Sequence, residues 1–308
     1  MRERLPTRSG SFLIGAFLSV AVTGAQECPV LISRGRLAYE SRSFELAAKE
    51  FAGAVTACAE KLQPLLYLAQ SWTMLGQLPE ALNALENLLA LDSGNKTGLK
   101  LQGDVLYLLG REPEAEKSLL AAINADPQFS DAIYALGRIY YQQSRYAAAV
   151  EQFQKVLRLD PKSYRAWDNL GLAYEALNEF DKATQHYLKA LDLVHKDHPE
   201  YDWAYANLAN LLMKKGDYRQ AFNLAAEAAE RNPNSARNYY LTAKALVSLE
   251  RMETSVRWLK RSIELDSNYA EPRYLLAQVY RKLGQREEAE RQLKAFREIN
   301  ARTPRNRR

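Results

Sequence analysis

The sequence predicts an all-α fold built from stacked helix pairs, an α-solenoid, and two observations support this prediction. The chain has 14 glycines and 11 prolines among its 308 residues, which is few for a fold rich in turns and loops. Small and large residues also recur with a period of 34 through most of the chain. A fixed period of this length is typical of proteins in which each repeat packs only against its neighbours.

The first element along the chain is predicted to be an export signal. Residues 1–10 are basic, and Ser11–Ala25 is an apolar run without charged residues. This run is shorter than the roughly 20 apolar residues of a membrane-spanning helix, and small residues precede Gln26, as at a signal-peptidase site. We therefore predict a signal peptide over residues 1–25 and a periplasmic or secreted protein. The alternative is an uncleaved membrane anchor over residues 11–25.

The repeat that follows is clearest between Trp167 and Ala190. Its spaced positions hold a large residue, a Leu-Gly pair and an aromatic residue, followed by small and aromatic residues in a second segment. They are Trp167, Leu170, Gly171, Tyr174, Ala183, Tyr187 and Ala190. This spacing resembles the tetratricopeptide repeat, a unit of two antiparallel helices. The resemblance implies a right-handed superhelix with a concave inner groove.

Eight copies of the pattern cover residues 26–301. They begin near Cys28, Leu62, Lys96, Ser130, Tyr164, Asp202, Ala236 and Ala270. A four-residue insertion near His195–Tyr201 precedes the sixth copy. We interpret the insertion as a solvated connector and not as a metal site, although it contains two histidines. Residues 302–308 are predicted to form a basic, disordered tail.

Small residues are expected where the two helices of a copy touch. Gly171 on the first helix and Ala183 on the second would let the two backbones approach closely. Tyr174 and Tyr187 are large enough to fill the space between this hairpin and its neighbours. One hairpin cannot bury both of its faces, so the stacking of eight copies is expected to form a continuous core.

The two cysteines both fall in the first copy. In an antiparallel hairpin the start of the first helix lies beside the end of the second, and Cys28 and Cys58 occupy these two ends. We predict a disulfide between them, which persists in an oxidising compartment. The alternative is two free cysteines, one of them buried in the hairpin.

Composition and motifs argue against an enzyme. Three histidines and two cysteines are too few for a zinc cluster or an iron–sulfur site. The sequence contains no glycine-rich phosphate loop, nucleophile elbow or zinc-protease helix motif. We therefore expect no catalytic residues, no metal, no cofactor and no small-molecule substrate. The net charge of +5 comes mainly from arginines near the two ends, so the body is close to neutral and no nucleic-acid partner is expected.

The resemblance places a ligand-binding groove on fixed slots of each first helix. In the central copies these slots hold Tyr134, Arg138, Tyr141, Arg165, Asp168, Asn169, Trp203, Asn207, Asn210, Arg237, Tyr240 and Lys244. Aromatic and arginine side chains are typical of protein recognition surfaces. Asn169 and Asn207 share one slot in successive copies, and we expect their carboxamides to hold the backbone of an extended peptide.

The sequence thus predicts a non-enzymatic scaffold that binds a protein or an extended peptide in its concave groove. Two alternatives remain open. One is a membrane-tethered assembly factor outside the cytoplasm, with residues 11–25 retained. The other is a protein that contacts a polyanion through its arginine-rich C-terminal tail.

Overall fold

The computed structural model describes residues 24–302, and within them it confirms the predicted all-α fold class. These residues form sixteen α-helices and no β-strand. The helices are α1 (Gly24–Glu40), α2 (Phe44–Ala57), α3 (Leu62–Met74), α4 (Leu78–Leu91), α5 (Lys96–Leu108), α6 (Glu112–Ala125), α7 (Ser130–Gln142), α8 (Tyr146–Leu159), α9 (Tyr164–Ala176), α10 (Phe180–Asp197), α11 (Trp203–Lys215), α12 (Tyr218–Arg231), α13 (Ala236–Ser248), α14 (Met252–Leu265), α15 (Ala270–Lys282) and α16 (Arg286–Arg302).

Both predicted terminal segments lie almost entirely outside the described residues. Only the last two residues of the predicted signal peptide, Gly24 and Ala25, are described, and they begin α1. Arg302 is the final residue of α16, so the first residue of the predicted disordered tail is helical. Residues 303–308 lie outside the described part of the chain.

The helices pack as consecutive antiparallel pairs. Each odd-numbered helix, called a first helix below, is followed after a short turn by an even-numbered second helix. Extensive contacts join α7 to α8, α9 to α10 and α13 to α14, and each second helix of this region also contacts the next first helix along the chain. Each helix of this region is thus covered mainly by its neighbours in sequence, as expected for a solenoid.

One backbone position recurs in every turn between the two helices of a pair. Its φ is positive in all eight pairs, at glycine in four of them and at Arg42, Ser144, Asn178 and Glu250 in the others. Next to this position, the N–H of Arg145 donates to the oxygen of Tyr140 at 2.8 Å, and the N–H of Gln77 donates to that of Trp72 at 2.9 Å. These bonds satisfy carbonyl groups at the helix end and turn the chain back.

In several pairs the core depends on close contact between a glycine and a large side chain. A Cβ atom added to Gly171 would lie 2.6 Å from the ring of Tyr187, and one added to Gly137 would lie 2.8 Å from the ring of Phe153. Tyr187 and Phe153 are fully buried. The glycine therefore makes the space that the aromatic ring on the second helix occupies, which is the physical reason for the Gly–aromatic spacing in the sequence.

The described chain divides into two compact units within α5, one ending at Leu101 and the other beginning at Gln102. The first unit contains α1 to α4, and the second contains α6 to α16 with all twelve predicted groove residues. Among residues 24–302, no helix has both the length and the apolar character needed to cross a membrane.

The predicted disulfide is present in the first unit. Cys28 on α1 and Cys58, which directly follows α2, are bonded, and their Cα atoms are 5.0 Å apart. Cys58 is also buried, and its N–H caps α2 by donating to the oxygen of Ala54. The bridge therefore joins the start of the first helix to the end of the second, as the antiparallel hairpin predicts.

Candidate functional site

The first helices of the second unit form a continuous surface. Successive first helices contact each other directly, α7 with α9, α9 with α11, α11 with α13, and α13 with α15. The predicted groove residues all lie on α7, α9, α11 and α13. We call the surface formed by these four helices the first-helix face.

Most of the predicted groove residues are accessible on this face. Arg138, Arg165 and Trp203 are exposed, and 52% of Trp203 is open to solvent. Seven more are half-buried, namely Tyr134, Tyr141, Asn169, Asn210, Arg237, Tyr240 and Lys244. The prediction of exposure is wrong for Asp168 and Asn207, which are only 2% and 3% exposed. These two residues lie beneath the face and do not line it.

Asp168 is held by two neutral donors from outside its own helix. The hydroxyl of Tyr201 donates to Oδ2 at 2.7 Å, and Nδ2 of Asn207 donates to Oδ1 at 3.0 Å. Burial raises the pKa of Asp168 to about 6, although both hydrogen bonds and the charge of Arg237 act in the opposite direction. Ionisation of this buried carboxyl group therefore costs free energy. Its oxygens are satisfied by the hydrogen bonds from Tyr201 and Asn207 and not by an ion pair.

Asn207 connects Asp168 to the surface. Its Nδ2 donates to Asp168 while its Oδ1 accepts a 2.8 Å hydrogen bond from Nη2 of Arg237. The guanidinium of Arg237 lies 4.9 Å from the centre of the Trp203 ring, within the range of a cation–π contact. A chain of contacts thus runs from the buried Asp168 to the exposed Trp203. Because both polar ends of Asn207 are bonded within the protein, the expected clamp made by Asn169 and Asn207 is not formed in this arrangement.

Asn169 has a different environment from Asn207. Its Nδ2 donates to the hydroxyl of Tyr134 at 2.9 Å and to the backbone oxygen of Arg165 at 2.9 Å. Burial raises the pKa of Tyr134, so this phenol stays neutral. The half-buried Asn169 and Tyr134 join α9 to α7 on the accessible side of the face.

The four-residue insertion is more than a solvated connector: Asp197, Pro199 and Glu200 are exposed, as expected, but the segment also packs against the preceding repeat. It extends α10, which has 18 residues where α8 has 14. The chain then returns toward α9, because the ring of His198 lies 4.3 Å from that of Tyr164, and the ring of Tyr201 lies 4.8 Å from it. Burial and the nearby carboxylate of Asp168 raise the pKa of Tyr201, which keeps its hydroxyl protonated as a donor.

Two further buried polar residues were missed by the repeat analysis. Asp202, directly after Tyr201, accepts a 2.5 Å hydrogen bond from Nδ2 of Asn238, which also donates to the oxygen of Ala228 at 2.9 Å. These bonds join the start of α11 to α12 and α13. Tyr201 lies in the insertion and therefore has no equivalent position in the other repeats, so the repeat pattern could not assign it a role. The sequence feature that could have pointed to it is the pair Tyr201-Asp202, an aromatic and an acidic residue at the start of a repeat.

A cleft lies beside one end of the first-helix face. Its volume is about 550 Å³, and its lining includes Tyr134, Tyr164, Arg165 and His198. In the part of the chain that the structure describes, no three His, Cys, Asp or Glu side chains are grouped as metal ligands would be. The cleft is also lined by the exposed carboxylates of Asp131 and Asp160 and by Lys162, so its lining carries both signs of charge.

Comparison with known proteins decides the family. The sequence profile of the tetratricopeptide repeat matches residues 74–128, 134–198 and 207–270, and a second profile of the same repeat matches residues 270–295. The chain belongs to the tetratricopeptide repeat family. Proteins with this fold are in general protein-interaction scaffolds, and most are not enzymes. A search of the curated proteins finds no match.

Solved tetratricopeptide repeat structures resemble the chain at low sequence identity. A tetratricopeptide repeat protein from Parabacteroides merdae is 20% identical with a TM-score of 0.66, over 82% of this chain and 99% of that one. PilF from Pseudomonas aeruginosa is 20% identical with a TM-score of 0.60, over 70% and 97%. A chain of the APC/C hetero-tetramer Cut9–Hcn1 is 15% identical with a TM-score of 0.65, over 94% of this chain and 55% of that one. These likenesses show the fold alone.

Proposed function

We propose that this tetratricopeptide repeat protein is a non-enzymatic scaffold that binds an extended segment of a partner protein along the first-helix face. The observation that carries the proposal is the state of Trp203. Half of this large apolar side chain is exposed, while Arg237 on the next first helix contacts its ring. A fixed, accessible Trp–Arg pair has the composition of an interface hot spot.

The surroundings of Trp203 favour an extended ligand over a compact one. Tyr134, Asn169 and Arg165 continue the accessible surface across α7 and α9, and Tyr240 continues it on α13. Neighbouring helices pack about 9 Å apart, so four of them span roughly 30 Å, and about ten extended residues cover that length. We therefore propose that a segment of this length crosses the four helices.

The proposed location is outside the cytoplasm. The Cys28–Cys58 disulfide supports it, because structural disulfides persist mainly in oxidising compartments. The basic and apolar pattern of residues 1–25 supports it independently. Sequencing of the mature N-terminus tests this part of the proposal, since cleavage would leave Gln26 first and retention of residues 11–25 would favour the anchored alternative.

The binding proposal is tested by capture with a single surface variant. The full chain and its Trp203→Ala variant are immobilised and exposed to extracellular and periplasmic extracts of the source organism. We expect Trp203→Ala to lose the bound protein, because hot-spot truncation costs about 2 kcal/mol or more. Tyr218→Ala is the matched control, since Tyr218 is an accessible aromatic residue on the second helix α12. Equal capture by all three proteins would refute the proposal.

A further inference from the structure

Among the described residues, three cations of the first-helix face lack acidic partners, whereas Lys214 and Lys215 at the end of α11 are paired. Arg138, Arg165 and Lys244 are accessible, and within the part of the chain that the structure describes no carboxylate forms an ion pair with any of them. Other cations of the same unit are paired, for example Arg145 with Glu116 at 2.9 Å and, at the end of α11 itself, Lys215 with Asp181 at 3.0 Å. The charges of Arg138, Arg165 and Lys244 are therefore not neutralised by ion pairs within the described part of the protein.

The acids near these cations do not compensate for them. Asp168 is buried and bonded to Tyr201 and Asn207. Glu175, on α9, already pairs with Lys214 at 2.7 Å. Asp131 and Asp160 line the same cleft as Arg165, and Glu271 lies at the start of α15, but none of these described acids forms an ion pair with Arg165, Arg237 or Lys244. The four helices of the face thus carry more cations than carboxylates, in a chain whose body is close to neutral.

Arg237 is held in place to receive a carboxylate. One of its N–H groups donates to Asn207, and its guanidinium lies against the Trp203 ring. A guanidinium has five N–H donors, so most of them remain available after this bond. A side chain fixed in advance loses less conformational entropy on binding, and guanidinium geometry suits bidentate contact with a carboxylate.

From these contacts we propose that the partner segment is acidic, with an aspartate or glutamate at Arg237, an apolar residue on Trp203, and further carboxylates at Arg165 and Lys244. This inference rests on the proposed function, since it names the chemistry of the segment that the first-helix face binds. The inference is based on charge complementarity, because an acidic segment would supply the carboxylates that these cations lack. An apolar residue beside the acid would cover the exposed ring of Trp203.

The experiment selects ligands without assuming a partner. A displayed library of random peptides, about ten residues long to match the span of four helices, is selected on the immobilised full chain. The selected pool should become more acidic than the starting pool. One selected peptide is then synthesised with its Asp and Glu residues and with Asn and Gln in their place. Both forms are titrated into the chain and into its Trp203→Ala variant while the tryptophan fluorescence is recorded.

Charge reversal on the protein provides the matched comparison. Arg237→Glu and Lys244→Glu should each weaken the acidic peptide about tenfold or more, since a lost charge-assisted bond is worth about 1.5–3 kcal/mol. Arg257→Glu and Lys260→Glu change the net charge equally on the second helix α14, where both residues are exposed. These two control variants should bind the peptide as the unchanged protein does.

Several outcomes would overturn the inference. A selected pool with no shift in charge, or equal affinity for the acid and amide forms of the peptide, would show that the face does not select acidic segments. In either case the proposed function survives if binding still depends on Trp203. If the two α14 control variants weakened peptide binding equally, the peptide would be attracted by the net charge of the protein and not by the first-helix face. Dextran sulfate that binds as tightly as the peptide, and independently of Trp203, would identify an unspecific polyanion surface instead.

Discussion

The hydroxyl of Tyr201 donates a 2.7 Å hydrogen bond to Oδ2 of Asp168, so the chain after α10 is fastened to the middle of α9. This bond explains why a four-residue insertion does not interrupt the repeat array. The same carboxylate is bonded to Asn207 and, through it, linked to Arg237. A segment outside the repeat pattern therefore helps to position the surface that we propose binds the ligand.

Removal of the Tyr201 hydroxyl should lower stability. Tyr201→Phe keeps the ring but leaves the buried Asp168 with one donor fewer, and we expect a loss of about 1–3 kcal/mol in the free energy of unfolding. Urea denaturation measures this loss. Tyr218→Phe, at an accessible tyrosine on α12, is the control and should change stability little. Equal stability of the two variants would contradict the role assigned to Tyr201.

The raised pKa of Asp168 should appear as a pH dependence of stability. Its pKa is about 6 in the folded chain, against an ordinary value of 3.8. The folded state thus holds this proton more tightly than the unfolded state, so the stabilisation by the proton is complete below pH 4 and is lost as pH rises from about 4 to 6. At neutral pH the loss is at most about 3 kcal/mol.

Asp168→Asn isolates this contribution, because other carboxylates titrate in both proteins. The unfolding free energy of the unchanged chain minus that of the variant should fall between pH 4 and pH 7, as measured by urea denaturation at each pH. A difference that stays constant over this range, or that rises, would show that Asp168 does not titrate as its burial predicts.

The contact between Gly171 and Tyr187 should behave as a coupled pair. Gly171→Ala places a Cβ 2.6 Å from the Tyr187 ring, and overpacking of this kind costs about 1–3 kcal/mol. In the background of Tyr187→Leu the same alanine should cost much less, since Ala243 and Leu259 occupy the equivalent positions of another repeat and are both buried. A double-mutant cycle by denaturation measures the coupling, and purely additive effects would rule out the contact.

Reduction of the disulfide should loosen the first hairpin. Its loop closes 30 residues, so the bridge is worth about 3.6 kcal/mol in the chain-entropy treatment. Hydrogen exchange in α1 and α2 should accelerate on reduction, while exchange in α15 and α16 stays unchanged. The double variant Cys28→Ser, Cys58→Ser should match the reduced chain and not respond to reductant. Two reactive thiols in the unreduced, unfolded protein would contradict the bridge.

Sequence reasoning reached much of the fold because local packing in this family is repetitive. The period predicted repeats starting near Leu62, Ser130 and Tyr164, where α3, α7 and α9 begin. The small residue Gly171 predicted close approach of the two helices of its repeat, and in the structure the ring of Tyr187 fills the space beside it. The disulfide followed from the antiparallel hairpin alone. Each of these inferences depends only on residues close in sequence.

The site was less accessible to sequence reasoning because its key contacts link neighbouring repeats. A slot assigns Asp168 and Asn207 to the first-helix face, yet it cannot show that Tyr201 from the insertion covers one and that Arg237 bonds to the other. Whether a polar side chain is buried depends on the side chains of neighbouring repeats that pack over it. The slot pattern therefore named residues of the first helices, but it did not separate the accessible ones from those buried beneath the face.

Site-specific photo-cross-linking tests the binding of a partner at the first-helix face most directly. A photoreactive phenylalanine analogue replaces Trp203, Arg165 or Tyr240 on first helices, and Tyr218 or Lys260 on second helices, in separate full-length proteins. Irradiation with the captured partner should give cross-links from the three first-helix positions to one continuous segment of it, and none from the other two. Cross-links only from Tyr218 and Lys260, or from all five positions alike, would contradict binding at the first-helix face.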